Sequence, residues 1–344
     1  MTLTTLPTQP PGTEWPTHHW PEAPLAGTTD IDRLSSLMDV AFSDEAQTGL
    51  SKTHSVVLVQ RGEIVFERYA SGHDAATLQP SWSMAKSITH ALVGLLVGDG
   101  LLAIDSPAQV PEWQQEGDPR RDITLDHLLR MSSGLRFLEE YVEGQPSDVI
   151  EMLFGAGKAD VAGFAASFPL DHAPGSHWSY ASGTTNIIAR AAAHALGSDF
   201  RDYMIARLFE PLGMRSAAPR FDDSGTFIGS SFCFATPRDF ARFGLLYLRD
   251  GVWEGNRLLP HGWVDHARTP TPQQDAVGAN RYGAHWWLDY AAPGSFSANG
   301  YAGQFIILVP DRDLILVRNG DTPEAGKDIL QGWLAQVVGC FRAI

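Results

Sequence analysis

A serine and a lysine three positions apart are the residues of this chain best suited to chemistry. They occur as Ser83-Met84-Ala85-Lys86, at the start of a segment apolar almost all round (Ser83 to Val97) that predicts a buried helix. A spacing of three places both side chains on one helical face. An amine in an apolar setting loses its proton more readily, and beside a hydroxyl it can activate that hydroxyl as a nucleophile. The helix N-terminus would also stabilise developing negative charge.

The composition makes Lys86 more informative than a bare S-x-x-K pattern. The chain has four lysines against twenty-one arginines, and only Lys86 has a serine three positions before it. A guanidinium could not lose its proton in this role. The alternative is structural, with Ser83 capping the helix and Lys86 extending its amine to solvent.

No other motif points as clearly to chemistry. The sequence contains no G-x-S-x-G, no H-E-x-x-H and no paired C-x-x-C, so neither an α/β-hydrolase elbow nor a metal site is expected, and we predict no cofactor. Gly155 to Ala159 lacks the spacing of a phosphate-binding loop. His90 is expected to be a hydrogen-bonded core residue, and His172 and His177 to lie at the surface. Trp286-Trp287, with Tyr282 and Tyr290, could line an apolar acyl pocket, although a buried strand is the commoner explanation.

Composition and charge restrict the class of partner. The 344 residues are 44% hydrophobic and 19% charged, a normal globular composition. The formal net charge of −15 argues against a nucleic-acid or anionic-membrane surface, because both require clustered positive charge. Cys233 and Cys340 are too few for a disulfide framework and are expected to be core thiols. No signal-peptide pattern opens the sequence, and the apolar stretch Ala91 to Val97 is too short to span a bilayer, which predicts a soluble, cytoplasmic protein.

The predicted elements place strands at both ends of the chain and helices between them. Residues 1–29 are proline-rich and predict an extended arm, and residues 30–344 predict one catalytic domain. A hairpin is expected at His54–Gln60 and Ile64–Tyr69. Helices are expected near 30–42, 125–131, 148–154, 184–196, 199–208, 237–249 and 324–338, and further strands at 283–290, 305–309 and 314–318. This order predicts an α/β (α+β) fold, an antiparallel sheet lobe (about 30–82 and 235–344) with an inserted helical lobe (about 83–234).

Three segments together resemble a known family. Ser83-Met84-Ala85-Lys86-Ser87 is similar to the active-site motif of the serine β-lactamase and penicillin-binding-protein superfamily. Ile123 to Leu135 and Pro174 to Ala192 resemble further blocks of its class C-like branch, which includes family VIII-type esterases and 6-aminohexanoate-dimer hydrolases. The resemblance covers nearly the whole chain from about residue 50. It implies a β-lactamase-like fold.

The second family motif corresponds to Tyr180-Ala181-Ser182. The resemblance implies that Tyr180 is the general base for acylation and the acid for the leaving group, with its phenolate stabilised by Lys86. It also implies that Ser182, where many relatives have asparagine, contacts substrate or Lys86. Without the resemblance, a core tyrosine would be the preferred interpretation of Tyr180.

The third family motif, usually K-T-G or H-T-G on an edge strand, corresponds to the stretch from Ala298 to Gln304. Gly300 and Gly303 match it, and the resemblance implies that the backbone N–H groups of Ser83 and Tyr301 form the oxyanion hole. Ala298 stands where relatives carry a cation for a substrate carboxylate, which disfavours β-lactam and peptidoglycan substrates. The glycines alone would be ordinary turn residues.

The sequence therefore predicts a serine hydrolase that cleaves a small ester or amide through an acyl-enzyme on Ser83. An esterase or a 6-aminohexanoate-oligomer-type amide hydrolase is the first expectation. A β-lactamase or D-aminopeptidase-like activity, acyl transfer, and a catalytically silent binding member of the fold are the alternatives. The expected partner is a small-molecule substrate, and the oligomeric state stays open.

Overall fold

The structure is a computed structural model that describes residues 3–43, 49–142, 144–274 and 281–343. Within these residues no helix is long and apolar enough to cross a membrane. Cys233 and Cys340 are free thiols buried in two different parts of the core, as predicted.

The helices occupy both lobes. In chain order they are α1 (Ile31–Ala41), α2 (Ala85–Gly98), α3 (Leu125–Leu129), α4 (Asp148–Phe154), α5 (Val161–Ala166), α6 (Ser182–Leu196), α7 (Phe200–Met204), α8 (Glu210–Leu212), α9 (Pro237–Leu248), α10 (Trp263–Arg268) and α11 (Lys327–Gly339). Local sequence explains several of their ends: Thr236 caps α9 by accepting from the Asp239 amide, and Gly197 ends α6 in the left-handed conformation.

The strands come from both ends of the chain. They are β1 (Lys52–Gln60), β2 (Glu63–Tyr69), β3 (Ala218–Pro219), β4 (Cys233–Phe234), β5 (Val252–Trp253), β6 (Asn256–Arg257), β7 (Arg281–Tyr282), β8 (Trp287–Leu288), β9 (Phe296–Gly300), β10 (Gln304–Val309) and β11 (Leu314–Asp321). In the described residues one seven-stranded sheet has the order β2-β1-β11-β10-β9-β8-β7, and its paired strands are antiparallel. The predicted sheet built from both termini is confirmed.

Alternation along the central strands separates two hydrophobic layers. In β10, Ile306 and Leu308 face the large core that contains α2, α9 and the helical lobe. Phe305 and Ile307 face the opposite layer, which α1 and α11 cover. A period of two in a strand buried on both faces produces this division.

The predicted continuous strand at 283–290 is replaced by a hairpin, and of that range only β8 (Trp287–Leu288) is strand. The chain forms a tight hairpin there, in which β7 pairs with β8 and the Gly283 amide donates to the Trp286 carbonyl at 2.8 Å. A Cβ atom at Gly283 would lie 1.9 Å from the Ala267 carbonyl oxygen, and His285 has a φ of +56°. An apolar run of this length does not reveal such a turn.

The N-terminal arm lies across the sheet lobe. Between residues 3 and 30 its one ladder contact is a bridge from Glu22 to Ile64. The Pro16 carbonyl accepts from the buried Arg242 at 2.7 Å, and the ring of Trp15 packs 5.0 Å from that of Trp253. The arm is therefore part of the packed structure.

Candidate active site

Ser83 lies in a strained turn immediately before α2. Trp82 has a φ of +43°, a rare conformation for a bulky residue, and residues Trp82–Met84 form a single 3₁₀ turn. The preceding Ser81 is fixed because its hydroxyl donates to the Ser231 carbonyl and accepts from the Cys233 amide. The turn leaves Ser83 half-buried.

Lys86 is almost fully enclosed, with 2% of its surface exposed. Its ammonium donates to Ser83 Oγ, to Ser182 Oγ and to the Ser230 carbonyl oxygen, each at 2.9 Å. Burial lowers the pKa of Lys86 to about 8, and the nearby Glu139 carboxylate opposes that shift. The structural alternative, a lysine reaching out to solvent, is therefore wrong.

Tyr180 lies beside Ser83 and Lys86, and Lys86 Nζ lies 4.9 Å from the centre of its ring. Burial, and secondarily the charge of Glu139, raise the pKa of Tyr180 above its ordinary value. The phenol is therefore protonated at neutral pH and can donate a proton.

A carboxylate that the sequence did not single out completes the cluster. Glu139 Oε1 accepts from the Ser182 hydroxyl at 2.6 Å, and Glu139 Oε2 accepts from the Ser182 amide at 2.8 Å. Ser182 begins α6, where unpaired N–H groups and the helix dipole favour a negative charge. No local spacing marks Glu139, since it lies 43 residues before its partner.

One face of α6 organises the acceptors around Lys86. Ser182 and Asn186 are four residues apart on this helix. Ser182 contacts Lys86 directly, and Asn186 Oδ1 accepts from the Ser230 amide at 3.1 Å, which holds the residue whose carbonyl meets the ammonium. Of the two roles that the resemblance implied for Ser182, the structure shows contact with Lys86.

The third motif ends beside the serine turn. A Cβ atom at Gly300 would lie 2.3 Å from the Ser81 carbonyl oxygen, and the ring of Tyr301 packs 5.6 Å from that of Trp82. These contacts bring the Tyr301 backbone next to Ser83. β9 is not an edge strand, although among the described residues β8 pairs with it only at Phe296 and Ser297.

The other two residues of the third motif, Ala298 and Gly303, pack within the fold. Ala298 is 1% exposed and belongs to the large core. Gly303 has a φ of +84°, and its carbonyl accepts from the buried Arg318 guanidinium at 2.8 Å. Arg318 and Gln304 hold the turn Tyr301–Gly303 through its carbonyls, so Gly303 shapes the turn.

Aromatic side chains lie beside the serine turn. A path of five rings, called here the ring path, runs with successive centroid separations of 6.2, 5.6, 5.6 and 5.3 Å through Phe154, Phe232, Trp82, Tyr301 and Tyr141. Tyr180 also packs against Trp287 at 5.4 Å and Tyr282 at 5.9 Å. Phe154 and Tyr301 are 55% and 48% exposed, so the ring path is open to a ligand.

The remaining sequence candidates separate clearly. His90 is buried and hydrogen-bonded to Tyr247 and His266, as predicted. His172 and His177 stack on each other at the surface. Of the four aromatic residues named for an acyl pocket, Trp287 and Tyr282 contact Tyr180. Trp286 lies in the large core, and Tyr290 packs in the opposite layer.

Comparison with known proteins identifies the class. The sequence profile of the Beta-lactamase family matches residues 44–336, and the chain belongs to that family. The sheet of both termini with its inserted helices is therefore a β-lactamase-like fold, and the protein is a β-lactamase-related serine hydrolase.

Named relatives give a narrower view. The chain is 25% identical over 320 residues to the 6-aminohexanoate-dimer hydrolase of Paenarthrobacter ureafaciens, covering 88% of this chain and 81% of that protein. It is 29% identical over 252 residues to esterase EstB of Burkholderia gladioli, covering 67% of this chain but only 61% of EstB. A candidate 6-aminohexanoate-dimer hydrolase from Bacillus anthracis superposes with a TM-score of 0.75 at 20% identity, over 92% of this chain and 86% of that one.

Proposed function

We propose that this hydrolase cleaves a small, neutral ester or amide through an acyl-enzyme on Ser83. The observation that carries the proposal is the 2.9 Å contact between Ser83 Oγ and the amine of Lys86, a buried lysine with a lowered pKa. A serine hydroxyl beside such an amine is an activated nucleophile. The names of the two curated relatives, an amide hydrolase and an esterase, agree with this reaction class.

The proton transfers follow from the three side chains. Neutral Lys86 accepts the Ser83 proton while Oγ bonds to the substrate carbonyl carbon. Tyr180 then donates its phenolic proton to the leaving group as the bond to that group breaks, and the Lys86 ammonium restores the phenol. In deacylation, neutral Lys86 accepts a proton from water as the water oxygen bonds to the acyl carbon, and that proton passes to Ser83 Oγ as the ester bond breaks and the carboxylic acid leaves. In the alternative, the Tyr180 phenolate is the base. This alternative is less favourable because the raised pKa of Tyr180 keeps its hydroxyl protonated.

The oxyanion site is proposed at the amides of Ser83 and Tyr301. Both lie where the serine turn meets the end of β9, and the Ser83 amide belongs to the turn that opens α2. Two backbone donors that converge on the carbonyl oxygen stabilise the charge that develops in the tetrahedral intermediate.

The site favours neutral, apolar substrates. Lys86 is engaged by three acceptors, Glu139 adds a negative charge, and the core position of Ala298 supplies no cation. The ring path offers apolar surface beside the nucleophile for an acyl or leaving group. We therefore propose neutral esters, and amides that present an apolar chain at the scissile bond, as substrates.

A substrate panel tests the proposal. We expect p-nitrophenyl esters, or amides with no charged end, to exceed nitrocefin and D-Ala-D-Ala peptides, which both carry a carboxylate, in kcat/KM by at least about tenfold, the value of one charge-assisted contact. Ser83→Ala should abolish turnover and labelling by a fluorophosphonate probe while the fold, followed by circular dichroism, is unchanged. Labelling of the variant at another serine would refute the nucleophile, and nitrocefin turnover equal to the best ester would refute the substrate class.

A further inference from the structure

We infer that Glu139 is a positioning residue that acts through the Ser182 hydroxyl to direct the lone pair of neutral Lys86 onto Ser83. This inference rests on the proposed function, because it places Glu139 in the same proton transfer. It adds a residue that neither the sequence motifs nor the family assignment singles out.

The three partners of Lys86 do not play equal parts. An ammonium has three N–H groups and satisfies all three contacts at 2.9 Å, whereas a neutral amine has two N–H groups and one lone pair. When Lys86 loses a proton, one of its partners must therefore supply a hydrogen to the lone pair.

Two of the partners cannot supply that hydrogen. The Ser230 carbonyl has none, and the Ser182 hydroxyl gives its hydrogen to Glu139 Oε1 at 2.6 Å. Ser83 is the partner whose hydroxyl hydrogen can turn toward the amine. The lone pair of neutral Lys86 then points at Ser83, which is the arrangement a general base needs.

Glu139 itself is held in place. The Ser182 amide donates to Oε2 at 2.8 Å and the Tyr141 hydroxyl donates to Oε1 at 2.5 Å. Charge-assisted bonds at the N-terminus of the 15-residue α6 hold the carboxylate in a fixed orientation. The Ser182 hydrogen therefore has a fixed acceptor.

Lys86 is the group in this cluster that titrates in the working range. Among the described residues, Tyr141, Tyr180, Tyr282 and His285 interact with Lys86 or Glu139. Burial raises the pKa of the three tyrosines above their ordinary value and lowers the pKa of His285 to about 3. All four are neutral between pH 6 and pH 9, where Lys86 changes charge.

The test is the rate at which a fluorophosphonate labels Ser83 between pH 6 and pH 10, which needs no knowledge of the substrate. In Glu139→Gln the amide can donate to Ser182 Oγ and free the Ser182 hydrogen to occupy the Lys86 lone pair. We expect the alkaline plateau to fall at least about tenfold. The acidic limb should move to lower pH, because the lost negative charge no longer raises the pKa of Lys86.

Two further variants show whether Glu139 acts through Ser182. Glu140→Gln is the matched control, since the Glu140 carboxylate accepts only from the neighbouring amides of Tyr141 and Val142 among the contacts described. Its plateau and limb should stay within twofold and 0.2 pH units of wild type. Ser182→Ala removes the acceptor of one Lys86 N–H, so the two N–H groups of the neutral amine can go to Ser83 Oγ and the Ser230 carbonyl, and the lone pair no longer has to meet the Ser83 hydrogen. Its plateau should therefore fall as well, and the double variant should be no slower than Ser182→Ala.

The outcomes separate the two proposals. An unmoved limb in Glu139→Gln, additive losses in the double variant, or an unchanged plateau in Ser182→Ala would overturn the role of Glu139 while Ser83 labelling of wild type still supports the proposed function. If Glu139→Gln does not fold, the Ser182→Ala plateau alone tests the role of Glu139. Absence of labelling at Ser83 in wild type would overturn the proposed function itself.

Discussion

The chemistry proposed here depends on the protonation state of one residue, Lys86. Burial lowers its pKa to about 8, so the ammonium predominates at pH 7 and the neutral amine grows in through pH 8. The pKa of Tyr180 is shifted in the opposite direction, upward, because burial stabilises the neutral phenol. We therefore propose opposite tasks for the two side chains beside Ser83, with Lys86 accepting a proton and Tyr180 donating one.

We predict that kcat/KM rises about tenfold per pH unit below pH 8 and levels off above it, since the neutral amine is the active form. Lys86→Arg should lower kcat/KM by about three decades or more, because a guanidinium stays protonated. Steady-state kinetics on a p-nitrophenyl ester from pH 6 to pH 10 check both. A rate that still climbs at pH 10 would assign the base to Tyr180.

Tyr180→Phe removes the phenolic hydroxyl and keeps the ring that packs on Trp287. If Tyr180 protonates the leaving group, the loss should be about a hundredfold for an amide and clearly smaller for a p-nitrophenyl ester, whose leaving group needs no proton. Parallel kcat/KM measurements on one amide and one ester with the same acyl group decide this. Equal losses would indicate that Tyr180 acts at the nucleophile instead.

At the scale of elements, the site depends on the close approach of β9 to the serine turn. The missing side chain at Gly300 permits this approach, since a Cβ atom would lie 2.3 Å from the Ser81 carbonyl oxygen. Backbone atoms cannot yield as a flexible side chain can, so a methyl group there must separate the two halves of the proposed oxyanion site.

Gly300→Ala should therefore lower kcat by at least about tenfold, with a smaller change in KM, and lower the melting temperature. The matched control is Gly332→Ala on the exposed face of α11, where a Cβ atom meets no other atom within 4 Å. That variant should gain about 1 kcal/mol of stability through helix propensity and keep its activity. Wild-type kcat in Gly300→Ala would show that the two segments do not cooperate.

Local patterns predicted the parts of this molecule that local forces determine. The helix at 148–154 has the predicted bounds, and the first hairpin and the Ser83–Lys86 pair lie where spacing placed them. The turn at Gly283 and the contact of Glu139 with Ser182 depend on segments far apart in sequence. Spacing within one segment carries no information about such contacts, which is why the sequence missed them.

At the scale of the whole molecule, the N-terminal arm supplies partners to buried cations. The Pro16 carbonyl accepts from Arg242 and the Gln9 side chain accepts from Arg249 at 2.9 Å, and both arginines are buried in the sheet lobe. The Thr4 carbonyl accepts from Arg268 in the same way. Removing these acceptors would leave buried donors unsatisfied.

Deletion of residues 1–20 should lower the free energy of unfolding by at least about 4 kcal/mol, since hydrogen bonds to charged groups contribute roughly 1.5–3 kcal/mol each. Guanidinium unfolding followed by tryptophan fluorescence measures the change. Among the described residues of the arm, 3–29, no hydrogen bond or ring contact reaches Ser83, Lys86 or Tyr180, so kcat/KM of the folded fraction at 20 °C should stay within twofold. Unchanged stability would mean that the arm is dispensable packing.

Trapping the acyl-enzyme is the most direct test of Ser83 as the nucleophile. Wild-type protein and Tyr180→Phe are mixed with p-nitrophenyl butyrate, quenched in acid within the first turnovers and analysed by peptide mass spectrometry. We predict a butyryl group on the peptide that contains Ser83 and no such adduct in Ser83→Ala. A butyryl group on another residue, or turnover by Ser83→Ala at the wild-type rate, would contradict the assignment of Ser83 as the nucleophile.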